Sequence, residues 1–176
     1  MNLRLSTLML LIAVLWPTAS FGEQGVVVRY VPQFELVGSG RLRVLFWDVY
    51  DAALYAPKGR WEPTRPYALV ITYLRSLKGA DIAERSTDEI REQGFTDEAK
   101  LNAWYRQMLG IFPDVEEGMM ITGVRDEDGR TLFYKKDMRI GIIDDPEFAQ
   151  WFFAIWLDEK TPEPRLRNDL LGLPNR

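Results

Sequence analysis

Residues 38–55 read GSGRLRVLFWDVYDAALY, and the fold turns on how that stretch is laid out. A Gly-Ser-Gly turn leads into residues 41–56, whose aliphatic and aromatic content suits one long strand with room for a bulge. Alternation along such a strand puts Arg41, Arg43, Leu45, Trp47, Val49, Asp51 and Tyr55 on one face, and Leu42, Val44, Phe46, Asp48, Tyr50 and Leu54 on the other. Two layouts follow. If the face carrying Val44 and Phe46 is core, Arg43 lies outside, solvated or paired to a structural carboxylate, as arginines usually are. If the face carrying Leu45 and Trp47 is the inner one, Arg43 is a cation in an apolar site. It then needs a carboxylate from the protein or from a ligand, because an unpaired buried charge is costly. Asp51 lies too far along a single strand to pair with Arg43. Arg75, just after the strand-like run YALVITYL (67–74), poses the same alternative of structural pairing or a cationic spot.

Outward from this stretch, the first half of the chain reads as β. Val26–Val31 and Phe34–Gly38 are short strand-like runs split by Pro32, and Tyr67–Leu74 is entered through Pro66. The middle is helical. Gly79–Gln93 is a polar, weakly amphipathic helix ending at Gly94. Thr96 caps a second helix on which Leu101, Trp104, Tyr105, Met108 and Phe112 recur at helical spacing until Pro113. Strands return at Met119–Arg125, Thr131–Tyr134 and Met138–Ile142. Asp126-x-Asp128-Gly129 between the first two is ordinary hairpin-turn chemistry and lacks the later ligands of a calcium loop. Asp144 or Asp145 caps a last long helix, PEFAQWFFAIWL (146–157), with Pro146 at its first position, and a short helix near Arg165–Leu171 follows. This order predicts an α+β domain, an antiparallel sheet with its helices mainly on one face.

Two absences narrow the chemistry. The chain of 176 residues contains no cysteine and no histidine. Thiol nucleophiles, disulfides and thiolate metal sites are excluded, along with the usual triad and the usual neutral-pH base. No metal or cofactor is expected. The formal charge of −4 argues against a nucleic-acid binder. The N-terminus carries a short basic segment (MNLR), an apolar run of twelve residues (LSTLMLLIAVLW) and a helix-breaking PTASFG, with Ser20 and Gly22 placed for cleavage before Glu23. The apolar run is short of the roughly twenty residues that span a bilayer. Residues 1–22 are therefore read as a signal peptide and 23–176 as a single domain exported to the periplasm, with no stable membrane span once the signal is removed; the alternative is a segment retained as an N-terminal anchor. The aromatic series Trp151, Phe152, Phe153 and Trp156 is explained by core packing, and equally suits a pocket if a cavity lies between helix and sheet.

The segments LVGSGRLRVLFWDVYDAALYAP, ITYLRSLKGADIAE, IFPDVEEG and FFAIWLDEKTPEPRLRNDLLG, in this order from about residue 34 to 172, resemble the chalcone isomerase-like family, specifically its bacterial exported branch. The combination G-x-G, VY-x-A-x-LY and a late IWL…LLG carries the likeness. The resemblance implies the chalcone isomerase fold, a long antiparallel sheet with helices on one face and a ligand cleft between the layers. In the family's plant isomerases an arginine early in this strand region binds a developing oxyanion, and in its fatty-acid-binding members an arginine and a tyrosine hold a carboxylate. A guanidinium suits both tasks, being permanently charged and fork-shaped. Here Leu42 occupies the spacing expected for that arginine, with Arg41 and Arg43 on either side, and Arg43 is preferred as lying further inside the strand. Tyr50 falls near a catalytic threonine of the plant enzymes, whose other catalytic hydroxyl and amide residues have no counterpart placed in this chain. The expected function is thus a periplasmic protein that binds, without turnover, a small apolar ligand with an acidic head, such as a fatty acid. Arg43, or Arg41, would hold the head with Tyr50 or Tyr55, with Arg75 nearby as a further cation. Trp47, Trp104, Phe152 and Trp156 would line the tail site. The alternatives are an isomerase or lyase acting on an enone-like substrate, and a structural protein with a filled cleft.

Overall fold

A computed structural model describes residues 21–175; the expected signal segment lies, up to residue 20, outside them. Residues 41–56 do not form one strand. They belong to a tight hairpin of β1 (Phe34–Val44) and β2 (Trp47–Pro57), whose two-residue loop is Leu45-Phe46 between the paired Val44 and Trp47. Leu45 adopts a φ of 55° at the first loop position, where hairpins ordinarily take glycine. Charge supplies a reason for folding back here. Arg41 comes to lie opposite Asp51, and Arg43 opposite Asp48. A bulge shifts the register between the Leu42–Tyr50 and Arg43–Asp48 pairs, leaving Val49 as the extra residue.

The sheet continues through β3 (Tyr67–Tyr73), β4 (Met120–Arg125), β5 (Thr131–Lys135) and β6 (Met138–Ile143). Six strands stand in sequence order, each antiparallel to its neighbours. The turn between β4 and β5 is closed by the Asp126 carboxylate, which accepts from the backbone N–H of Asp128 and Arg130, with Gly129 at φ 81°. Between β3 and β4 the chain makes helices α2 (Gly79–Glu92) and α3 (Glu98–Ile111), and after β6 it makes α4 (Pro146–Leu157) and α5 (Pro164–Leu171). Asp97, not Thr96, caps α3 by accepting from Lys100 N, and Asp145 caps α4 by accepting from Glu147 N. The main core joins Leu54, Leu69 and Phe133 of the sheet to Ile90, Met108, Phe148 and Phe153 of the helices. The result is an α+β architecture, an open antiparallel sheet covered mainly on one face.

Two further expectations are corrected. Val26–Val31 is not a strand: up to Tyr30 it belongs to a helix, α1 (Phe21–Tyr30), which packs on the opposite face of the sheet, and Val31 directly follows. Val26, Val27 and Val31 share one helical side and are buried against Ala68, Val70, Val124 and Leu132, so tertiary packing overrides the β-propensity of the valines. Gly38-Ser39-Gly40 is not a turn but the middle of β1. Its glycines are there because α5 lies directly on the strand: a Cβ at Gly38 would sit 2.1 Å from the carbonyl oxygen of Asp169.

Candidate functional site

The hairpin, the inner face of the sheet and helices α2, α4 and α5 enclose a cleft of about 490 Å³, within the range of small-ligand sites, roughly 300–1,000 Å³. Its walls are largely apolar. The sheet contributes Leu42, Val44, Leu69, Ile71, Ile121 and Phe133, and α4 contributes Phe152, Phe153, Ile155 and Trp156. Helix α2 offers Ile82, Arg85, Ser86 and Glu89, one side of the helix at spacings of three and four, with Asp81 beside them. Pro162, Glu163 and Leu166 close the α5 side. The bulge in β2 lets the consecutive residues Val49 and Tyr50 both face the cleft.

Three of the expected site residues meet here. Tyr50, Phe152 and Trp156 line the cleft, and the Trp156 indole N–H donates to the Tyr50 hydroxyl at 2.8 Å. Desolvation pushes the Tyr50 phenol above its ordinary pKa, so it keeps its proton at neutral pH and can offer it to a ligand.

The other six lie elsewhere. Arg41 and Arg43 are on the outer face of the hairpin, paired to structural carboxylates as the first layout has it for Arg43, whereas Val44 and Phe46 near the loop are exposed and not core. The Arg41 guanidinium grips Asp51 with two bonds of 2.6 and 2.9 Å and reaches Asp48 at 2.9 Å, while Arg43 Nε meets the other Asp48 oxygen. These hydrogen bonds, from Arg43 first and then Arg41, hold the Asp48 carboxyl below its usual range. Trp47 is 63% exposed beside the hairpin loop, with the exposed Arg75 guanidinium 5.1 Å above its ring. Tyr55 packs on Phe34 on the α1 side of the sheet. Trp104 is buried in the core, stacked on Phe95 and donating to Asp145. The inner position of the arginine triplet is Leu42, an aliphatic side chain in the cleft wall.

The charged groups of the cleft come mainly from α2, with Glu163 on the α5 side. Arg85 is bonded to Glu89, four residues on, but its own side chain is 65% exposed whereas that of Glu89 is 7% exposed. One Glu89 oxygen takes the Arg85 bond. The other, Oε2, is buried with no hydrogen-bond partner. Desolvation, the largest influence, raises the Glu89 pKa despite the neighbouring guanidinium. Sequence reading misses both residues because charges on a polar helix look like its solvated side. The available signal is the spacing, since Ile82, Arg85, Ser86 and Glu89 fall on one helical side.

With this geometry in hand, the family can be assigned. Residues 26–172 match the family described as chalcone isomerase-like, and the chain belongs to it. A solved structure with the same fold is a fatty-acid binding protein of Arabidopsis thaliana. It is 12% identical, with a TM-score of 0.61 over 80% of this chain and 87% of that one. No curated protein matches the sequence.

Proposed function

We propose that this protein binds a small apolar ligand with one polar head group, without converting it, in the cleft between sheet and helices. The observation that carries this reading is the cleft itself, about 490 Å³ of largely aliphatic and aromatic wall with its polar side chains on α2, at Tyr50 and Tyr73, and at Glu163. Burying a ligand methylene there is worth about 0.8 kcal/mol, so a chain of several carbons supplies useful affinity from its tail alone. The name of the Arabidopsis structure supports a fatty acid or a similar long-chain compound as the ligand class. Arg41 and Arg43, occupied outside, are not available to its head; Arg85, Glu89 and Tyr50 are. The pattern of residues 1–22 supports removal of that segment and a periplasmic location, as in an exported bacterial branch of the family.

Denaturing extraction of the purified protein, followed by mass spectrometry, is expected to release about one long-chain compound per chain. Protein that is repeatedly ligand-free, and that takes up no added long-chain compound, would refute the reading. One observation favours the isomerase alternative: Glu89 is a buried carboxyl of raised pKa in the same cleft as a phenol donor, a pairing suited to proton transfer.

A further inference from the structure

We infer that the cleft selects its ligand by a hydrogen-bond donor on the head group, as in a long-chain amide, alcohol or amine, and that Glu89 is the acceptor that reads it. The inference rests on the binding reading above and narrows it. The charges lining the cleft are Asp81, Glu89 and Glu163 against the single guanidinium of Arg85. A ligand carboxylate would enter a site that is already anionic. To be held by Arg85 it must compete with Glu89 for that group, and success leaves Glu89 buried with its charge unpaired.

A donor head group meets the opposite situation. Glu89 lines the cleft and its Oε2 is an unused acceptor just beneath the cleft surface, so a donor head group that draws that oxygen into the cleft satisfies it without disturbing the Arg85 pair. Nearby side chains do not supply that bond. The Ser86 hydroxyl is engaged as a donor to the Ile82 carbonyl. The Tyr50 hydroxyl, which accepts from Trp156, supplies a donor elsewhere in the cleft wall. A primary amide offers an N–H to Glu89 and keeps its carbonyl for a further donor. An alcohol or an ammonium serves the acceptor alone. Glu89 is thus the specificity-determining residue of the site.

The test uses four ten-carbon probes with the same tail: decanamide, 1-decanol, decylamine and decanoate. Their affinities for the purified protein are measured calorimetrically at pH 7.5. The donor-headed probes are expected to bind at least tenfold tighter than decanoate. In Glu89→Gln, which keeps the side-chain shape but loses the charge and offers a donor of its own, the gap is expected to close to within about threefold, less than 1 kcal/mol. Decanoate binding as tightly as the others to the unaltered protein overturns the inference and leaves the binding reading standing. Failure of all four to bind removes both. A gap that survives Glu89→Gln overturns the role of Glu89. Leu42→Arg, at the partly exposed rim of the cleft, is an independent variant expected to reverse the order in favour of decanoate. An unreversed order in a folded Leu42→Arg protein also counts against the inference.

Discussion

At the scale of single residues, the site is decided by which member of an alternating triplet faces inward. Arg41, Leu42 and Arg43 present two cations outward and one aliphatic side chain inward, because the strand has a period of two. The outward pair is satisfied by Asp48 and Asp51 across the hairpin, partners that a single extended strand does not provide. Sequence pattern alone leaves open which side is inside, and the family resemblance favours the wrong side for Arg43. Glu89 has a consequence for stability as well as for binding. Its carboxyl holds a proton more tightly in the folded than in the unfolded protein, since burial raises its pKa. Its contribution is therefore most favourable below the ordinary carboxylate range and declines as the pH rises through the raised folded value. Glutamine has no such proton. Glu89→Gln removes the buried charge and is expected to be more stable than the unaltered protein at pH 7.5, with the gain shrinking as the pH falls toward 4. Urea unfolding at the two pH values checks this, and identical pH profiles would contradict it.

At the scale of elements, most of the helices and strands are readable, and each failure has a physical cause. The last long helix is found correctly because Asp145-Pro146 marks its start and its apolar residues run all round. The hairpin is missed because its loop, Leu45-Phe46, has neither glycine nor asparagine and is as apolar as the strands it joins. Helix α1 is missed because three consecutive valines outweigh, in a local reading, the helical spacing of Val26, Val27 and Val31. The G-x-G of β1 is noticed but assigned to a turn; its reason is a helix packed above it, which no local pattern shows. Gly38→Ala tests that reason. The added methyl meets the backbone carbonyls of Asp169 and Leu170 at 2.1 and 2.8 Å, groups that cannot rotate aside. The expected cost is about 3 kcal/mol, accompanied by weaker ligand binding, because Glu163 and Leu166 of the cleft wall move with α5. Unchanged stability by chemical denaturation would show that α5 does not lie so close.

At the scale of the whole molecule, the sheet is a partition with two different faces. Its outer face is closed by α1 through a valine-rich cluster and the 2.6 Å bond between the hydroxyls of Tyr30 and Tyr134. Its inner face is only partly filled, and the hairpin end of the layer between sheet and helices is left as the cleft. Fold class and the likelihood of such a cleft are visible in the order of elements and in the family's motifs. The charged groups that give the cleft its character are not, because they depend on which side of α2 is turned inward. Among the described residues no helix is long and apolar enough to cross a membrane. The central claim is that this internal space is a binding site. Its most direct test is calorimetric titration of 1-decanol into the unaltered protein and into Ile71→Trp, which fills the cleft from the sheet side. One equivalent is predicted to bind to the unaltered chain, and at least tenfold weaker binding to an Ile71→Trp protein that unfolds at an unchanged midpoint. No binding to the unaltered chain, or undiminished binding to the folded variant, would contradict the account.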